Sequence, residues 1–514
     1  MSDKRPNIIF VIADQHNAKV LGCKGHPDVQ TPHMDRMAAE GVRFDNAICQ
    51  NPICTPSRVS WLSGQYCSNH GYYGLSGPNP NGLPSILGHF RRYGYTTLAA
   101  GKIHCPEYWV EDDCDEFHET CNCSVEGRSD EYNEFLMERG KLELEDHGRM
   151  PEFGVGGGQS VEGRPSRLTF EESQEGWIAA KSCQFIDRAI ENGRPFFVHA
   201  SLPRPHQCTA PSQPFWDLYE GRELTLPPNS DYDVSLKSPA MQQTVARWRS
   251  GDWTLIEPKN YEAGRLRKLH GYLGAVSQVD HALGQILDHL EKKGIAQDTT
   301  VVYSADHGDY ATEHGIMEKA PGICADAITR IPMIWQWKGH FKEGHVVPEI
   351  VESVDLANTL CSLAGIDELA TADGLEITHL LRGESGEIHK VGITENAFGK
   401  SVRKGDWRFV YYPPEMFADE HPDGFGELYN LAEDPWEMNN LYFSPEHQKK
   451  VAEMTSDLAE WLITHRRNRT VMPTQRGNRV NHGSQFHRRY HHVTAADGRI
   501  APVQVRTSPA KNYM

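Results

Sequence analysis

Long apolar runs are missing from this chain of 514 residues. The longest early one, Ile8-Ile9-Phe10-Val11-Ile12-Ala13, stops at Asp14 and is too short for the hydrophobic region of a secretory signal. No stretch reaches the length that a membrane-crossing helix needs. An excess of positive charge is missing as well: 52 Lys and Arg face 70 Asp and Glu, a formal net charge of −18. That balance argues against a nucleic-acid partner or a membrane surface. Two motifs are present only in part. Gly154-Val155-Gly156-Gly157-Gly158 has no Lys-Ser/Thr behind it, so it is not a phosphate-binding P-loop. Cys105, Cys114, Cys121 and Cys123, with His104 and His118 nearby, match no standard zinc spacing, and scattered buried or loop thiols are the simpler reading. Cysteine itself is not scarce. Twelve of them without an export signal lead us to expect a reducing, cytoplasmic setting and mostly free thiols.

What is present supports a large folded body. Hydrophobic residues make up 38% and charged residues 24%, enough for a substantial core and too apolar for global disorder. The charge is uneven. From His465 onwards nine arginines and one lysine meet a single acid, Asp497, so that tail carries about +9 and the body before it about −27. A solvated tail or an arm that embraces a second subunit is expected, hence a homo-oligomer.

Read in order, the chain alternates strand and helix. Ile8 to Ala13 is a fully buried strand that delivers Asp14-Gln15 at its carboxyl end, the edge where ligands bind in open α/β sheets. Thr31 caps a helix with Pro32 at its first position and Gly41 as its stop. A helix from about Ser85 to Tyr93 precedes a strand, Tyr95 to Ala100, that leads into Gly101-Lys102-Ile103-His104. From about 111 to 176 the chain is polar and acidic, and an insertion over the active-site edge is expected. A helix near Ile178 to Ile190 and a strand from Pro195 to Ala200 lead to Pro203, Pro205 and His206. Residues 211 to 258 read as irregular. A long amphipathic helix over Leu266 to Lys293 is stopped by Gly294, and the strand Thr300 to Ala305 ends in Asp306-His307-Gly308-Asp309, with Glu313, His314 and Lys319 beyond. Ile331 to Trp335 is a further strand.

These elements predict an α/β fold with a large mixed, mostly parallel sheet sandwiched by helices. Beyond about Gly386, strands at Trp407 to Tyr412 and Gly426 to Leu431 and a helix capped by Ser444-Pro445 predict a smaller C-terminal α+β module. The expected division is a catalytic domain over 1–385, the module over 386–464 and the basic tail over 465–514.

The most chemically suggestive stretch is Cys54-Thr55-Pro56-Ser57-Arg58. Pro56 can open a helix, whose free N–H groups would point back at Cys54, and Arg58 adds a full charge. That is a place to hold an anion beside a thiol; the alternative is a buried cysteine before a helix. Acids and bases recur past other strand ends. Asp14, Gln15 and Asp306 offer oxygens to a hard divalent cation and His307 an imidazole, while Lys102, His104, His206 and Lys319 could bind anions or move protons. Singly, each of these has a structural reading as a turn cap or a surface residue.

Taken together and in this order, the motifs resemble the sulfatase family of the alkaline-phosphatase superfamily, over nearly the whole chain up to about Leu441. The likeness rests on Pro6 to Phe10 leading into Asp14-Gln15, on Cys54-x-Pro56-Ser57-Arg58 with Leu62 and Gly64, and on Gly101-Lys102-Ile103-His104. Pro205-His206, Ser304 to Asp309, Lys319, and Leu428 to Leu431 with Asp434-Pro435 complete it. The resemblance implies that a formylglycine-generating maturation enzyme oxidises Cys54 to an aldehyde. Its hydrate would attack the sulfur of a small-molecule sulfate ester and form a covalent sulfo-enzyme intermediate. It implies a metal held by Asp14, Gln15, Asp306, His307 and the Cys54 side chain, with Ca²⁺ ahead of Mn²⁺ or Mg²⁺. Arg58 and Lys102 would stabilise the nucleophile, and His104 would take a proton from the second hydroxyl of the hydrate. His206 and Lys319 would bind substrate and assist the leaving oxygen. Many members have Asp-Asp and Asp-Asn where this chain has Asp14-Gln15 and Asp306-His307. Choline sulfatases and phosphonate monoester hydrolases look more like this version, so a phosphonate monoester or phosphodiester hydrolase is the alternative. A catalytically silent binding protein of the same fold is the third reading.

Overall fold

The computed structural model describes residues 5–75, 82–106, 108–120, 131–146, 161–319, 323–396 and 399–465, with two short segments of the tail. Eight strands form the main sheet: β1 Asn7–Asp14, β2 Val42–Ile48, β3 Thr96–Gly101, β4 Glu116–Glu119, β5 Phe196–Pro205, β6 Thr299–Ala305, β7 Arg330–Gln336 and β8 His345–Glu352. Their order is β4-β3-β5-β1-β6-β7-β2-β8, and every neighbouring pair is parallel except the two that β7 makes. The predicted mixed, mostly parallel sheet is therefore what forms. β1 is buried along its whole length, and its side chains alternate between two cores. Ile8, Phe10 and Ile12 pack with Trp61 and Phe197 on one face; Ile9, Val11 and Ala13 pack with Ile178 and Leu283 on the other.

Because β3, β5, β1 and β6 run parallel and side by side, their carboxyl ends share one edge. Gly101, Pro205, Asp14 and Ala305 all lie there. β2 runs the same way, since β7 is antiparallel to both β6 and β2, so the chain leaving Ile48 for Cys54 emerges on that edge too.

A second sheet, β9 Gly392–Glu395, β10 Lys400–Lys404, β11 Trp407–Tyr411 and β12 Gly426–Asn430, is antiparallel in the order β12-β11-β10-β9 and packs under the helix Gln448–His465. This is the expected α+β module. β9 is hydrogen-bonded to the segment just ahead of Cys54: Glu395 N–H donates to Gln50 O at 2.8 Å and Asn51 Nδ2 to Glu395 O at 2.7 Å.

Several expectations need correction. Residues 111–176 are not simply a cover over the site: Glu116–Glu119 joins the edge of the main sheet and Glu131–Glu138 is a helix. Residues 211–258 hold two helices, Gln213–Asp217 and Pro239–Arg249. Thr31 precedes the helix Pro32–Ala39, but its hydroxyl donates to Asp35 and accepts from Gly22 N–H instead of capping. The glycine run 154–158 and the cysteines 121 and 123 lie outside the described residues. Cys114 is buried and Cys105 partly buried, and desolvation pushes the Cys105 thiol up to about 12. Among the described residues Cys23, Cys49, Cys54, Cys67, Cys105, Cys114, Cys183, Cys324 and Cys361 are free thiols, and no helix is long and apolar enough to cross a membrane. Within the tail, His492–Thr494 and Ile500–Pro502 pair antiparallel; the rest of 466–514 is outside the described residues.

Candidate active site

Cys54 is the first residue of the helix Cys54–Ser63, so Pro56 sits in its first turn rather than at its opening position. All ten residues of this helix are buried. A helix hidden on every side must satisfy its polar side chains internally. Ser57 Oγ does so by donating to Asp306 O at 2.5 Å, and Ser60 Oγ pairs with His70 Nε2 at 2.9 Å. Gly64, in the left-handed region, ends the helix.

Arg58 organises the floor. Its Nε donates to Asp306 Oδ2 at 2.9 Å and its Nη2 to Asp14 Oδ2 at 3.2 Å. Its Nη1 reaches Lys102 O at 2.5 Å and Ser201 Oγ at 2.7 Å. One guanidinium thus ties together residues from β1, β5, the end of β3 and the end of β6. Lys102 is only 4% exposed, which removes the surface-loop reading, and its Nζ lies 2.5 Å from Asp14 Oδ2. Gly101 makes this approach possible: a Cβ there would sit 1.9 Å from Ser201 O.

Asp14, Cys54, Asp306 and His307 each offer one ligand atom, and these atoms lie within 4.8 Å of one another. His307 Nδ1 donates to Gly308 O at 2.9 Å, so Nε2 is the nitrogen that faces Cys54 Sγ, at 3.3 Å. Gln15 has φ of 71°, a left-handed residue after the β1 irregularity, held by its N–H to Asp306 Oδ1 at 3.0 Å. Its Oε1 accepts from Lys319 Nζ at 2.8 Å, and the same Nζ lies 3.3 Å from Cys54 Sγ. The residue types fit a hard divalent cation: two buried carboxylates, one imidazole nitrogen and a carbonyl oxygen nearby.

The electrostatics agree. Burial and Asp14 push the Cys54 thiol up, yet Lys319, Lys102 and His307 outweigh them and hold it well below the ordinary thiol range. Burial likewise works against the Asp14 carboxylate, but Lys102, His206 and Arg58 keep it well below its usual value. Burial and the Asp14 charge raise Asp306 instead. Two like charges share one dry site, and a cation between them would let both ionise. Burial, with Lys102 and Lys319, holds His206 far below the usual imidazole range.

Of the residues singled out from sequence, Asp14, Gln15, Cys54, Arg58, Lys102, Asp306, His307 and Lys319 meet in one hydrogen-bonded cluster. His206 is anchored beside it, its N–H donating to Asp14 O at 3.1 Å and its Nδ1 to Gln207 O at 2.6 Å. His104 stands apart: its φ is 47°, its Nδ1 is buried without a hydrogen bond, and its ring makes none to the cluster among the described residues. Sequence reading missed Ser201, Gln207, Glu318, Lys268 and the use made of Asp309. Gln15 Nε2 donates to Asp309 Oδ2 and, at 3.4 Å, to Gln207 Oε1. Burial pushes Glu318 up to about 7 against the pull of neighbouring Lys319. Asp309 stood within the quoted Asp306-His307-Gly308-Asp309 run; Lys268, on a helix 41 residues earlier, gave no signal.

The family model for sulfatases matches residues 6–366. The chain belongs to the sulfatase family. A second model, N-sulphoglucosamine sulphohydrolase, C-terminal, matches residues 312–464 of this sulfatase-family chain. An arylsulfatase of Clostridium perfringens is 25% identical over 466 residues, 87% of this chain and 92% of that protein. A choline-sulfatase of Rhizobium meliloti is 25% identical over 447 residues, 85% of this chain and 84% of its own. A phosphonate monoester hydrolase from Silicibacter pomeroyi has the same fold, with a TM-score of 0.74 at 22% identity over 90% of this chain and 96% of that one. The sulfatase family expected from the motifs is thus borne out, and the fold is shared with this solved structure.

Proposed function

We propose that this chain hydrolyses sulfate monoesters, with a formylglycine hydrate derived from Cys54 as the nucleophile and a covalent sulfo-enzyme on the path. The observation that carries the reading is the setting of the Cys54 side chain, with Sγ 3.3 Å from both Lys319 Nζ and His307 Nε2 at the head of a buried helix. The thiol there is the precursor of the aldehyde, and a formylglycine-generating enzyme is the partner this requires. Asp14, Gln15, Asp306 and His307 would hold a divalent cation, Ca²⁺ before Mn²⁺ or Mg²⁺, with the oxygen that replaces the Cys54 sulfur. When bound, the cation supplies Lewis acidity to the ester oxygens and favours the ionised hydrate.

The side chains do the rest. One hydroxyl of the hydrate forms a bond to sulfur as the ester S–O bond breaks, and Arg58 and Lys102 offset the negative charge on the attacking oxygen. Lys319 and His206 bind the sulfuryl oxygens and deliver a proton to the departing alcohol oxygen. His206 commits its Nδ1–H to the Gln207 carbonyl, so Nε2 is the nitrogen for that exchange; neutral in the free site, it takes up a proton together with the anionic ester and passes that proton on. His104 then takes the proton of the second hydroxyl; the carbonyl re-forms as its C–O bond to sulfate breaks, and water restores the hydrate.

One observation favours a second reading. Gln15 and His307 stand where many sulfatases have acidic and amide ligands, and the likeness to a phosphonate monoester hydrolase extends over nine-tenths of the chain. Specificity constants for an aryl sulfate and an aryl phosphonate monoester separate the two. A higher value for the sulfate is expected, and a large phosphonate preference would replace the first reading with the second.

A further inference from the structure

The helix Tyr261–Lys292 sends two side chains to the surroundings of Gln15. Tyr272 OH donates to the Gln15 backbone oxygen at 2.8 Å, and Lys268 Nζ lies 3.6 Å from Asp309 Oδ2, the oxygen that accepts from Gln15 Nε2. We infer that Asp309 and Lys268 are positioning residues for Gln15, which lock its amide with the carbonyl oxygen on the side of Lys319 and Cys54. The inference rests on the proposed cation site.

A side-chain amide has nearly the same shape when turned over, so only its neighbours decide which end is oxygen. Here the neighbours carry opposite charges. Asp309 can only accept and Lys319 can only donate, so NH₂ faces Asp309 and Oε1 faces Lys319. The reversed amide would set oxygen against carboxylate and NH₂ against ammonium in a fully buried site, where such contacts are poorly screened. Asp309 is itself fixed, its Oδ1 accepting from Ala311 N–H at 2.5 Å. Lys268 Nζ is fully buried, makes no hydrogen bond among the described residues, and lies 5.0 Å from the Tyr272 ring centre. An ammonium in that position is costly to bury. What it supplies is an opposite charge 3.6 Å from the carboxylate oxygen that accepts from Gln15 Nε2. Lys268, Asp309, Gln15 and Lys319 thus form one line ending 3.3 Å from Cys54 Sγ.

The test is a charge-exchange cycle read by metal binding rather than turnover. Metal-free full-length protein, as wild type, Asp309→Asn, Gln15→Glu and the double variant, is titrated calorimetrically with Ca²⁺ and in parallel with Mn²⁺. Asp309→Asn removes the charge that orients the amide and should weaken binding at least about tenfold. In the double variant the amide introduced at position 309 can donate to the carboxylate introduced at position 15, so its affinity should exceed the product of the single effects by about tenfold or more. Additive single effects overturn the inference and leave the cation site standing. Failure of wild type to bind either ion overturns the cation site and the inference with it. Should Asp309→Asn not fold, Gln15→Glu alone decides: with its new carboxylate facing Asp309 it binds no more tightly than wild type, and binding about tenfold tighter contradicts the inference.

Discussion

Lys102 and Arg58 are both buried against Asp14, and each removes a different part of the site when lost. Lys102→Ala leaves Asp14 without its nearest cation, so the carboxylate moves back towards protonation while Arg58 keeps the floor tied. An aryl-sulfate kcat/KM lower by about 100-fold, with an unchanged circular dichroism spectrum, is the expected result. Gly308 is limited by sterics, not charge. A Cβ there would lie 1.9 Å from Ala327 O, so Gly308→Ala must shift the backbone beside His307. A loss of about 1–3 kcal/mol in stability together with weaker metal binding is predicted from chemical denaturation and calorimetry. Most of the cluster was legible at this scale because Asp14, Lys102, His206 and Asp306 each follow a strand end. His104 also follows one, yet its ring makes no hydrogen bond to the cluster, and residue 104 adopts a positive φ that the sequence does not announce. Lys268 was hidden because it belongs to a helix whose period displays only its apolar face.

Between elements, the junction of β8, the helix Asp355–Ala364 and the segment leading into β9 buries a group of acids around one imidazole. His389 Nε2 lies 2.9 Å from Asp355 Oδ2, its Nδ1 lies 3.7 Å from Glu352, and Tyr66 OH donates to that same glutamate. Burial opposes the His389 imidazolium, but Asp355 and Glu352 raise its pKa to about 9. The folded state therefore holds this proton more tightly than the unfolded chain does. The stability gained is complete below about pH 6.5 and is lost as pH rises through 9, a window worth on the order of 3 kcal/mol. In melting experiments the advantage of wild type over His389→Gln should shrink steadily from about pH 6.5 to about 9.5, and a pH-independent difference would refute this assignment. Several of the elements that sequence reading missed are short or polar. Glu116–Glu119 is a four-residue edge strand with no apolar alternation, and β9 and β10 lack the aromatic signature that disclosed β11.

For the molecule as a whole, the strand-helix alternation was enough to foresee one mostly parallel sheet, because a fully buried strand such as β1 is an unbroken apolar run. The order of strands was not legible, since pairing depends on contacts far apart in sequence: β1 lies between β5 and β6, and β7 enters antiparallel. With the proposed cation site built from the ends of β1 and β6 and the Cys54 helix, metal binding would belong to the folded state alone. Chelator treatment should lower the melting temperature by several degrees and saturating Ca²⁺ or Mn²⁺ should restore it. We also expect the basic tail to act in assembly; a chain ending at Thr464 should show a smaller molecular mass by light scattering than its shortened length explains.

The most direct test joins modification to turnover. Preparations made with graded amounts of a formylglycine-generating enzyme are digested, and the aldehyde fraction of the Cys54 peptide is measured by mass spectrometry beside the specific activity on an aryl sulfate. The proposed mechanism requires that activity rise in proportion to aldehyde and vanish where the thiol is intact. Full activity in a preparation whose Cys54 remains an unmodified thiol would contradict it.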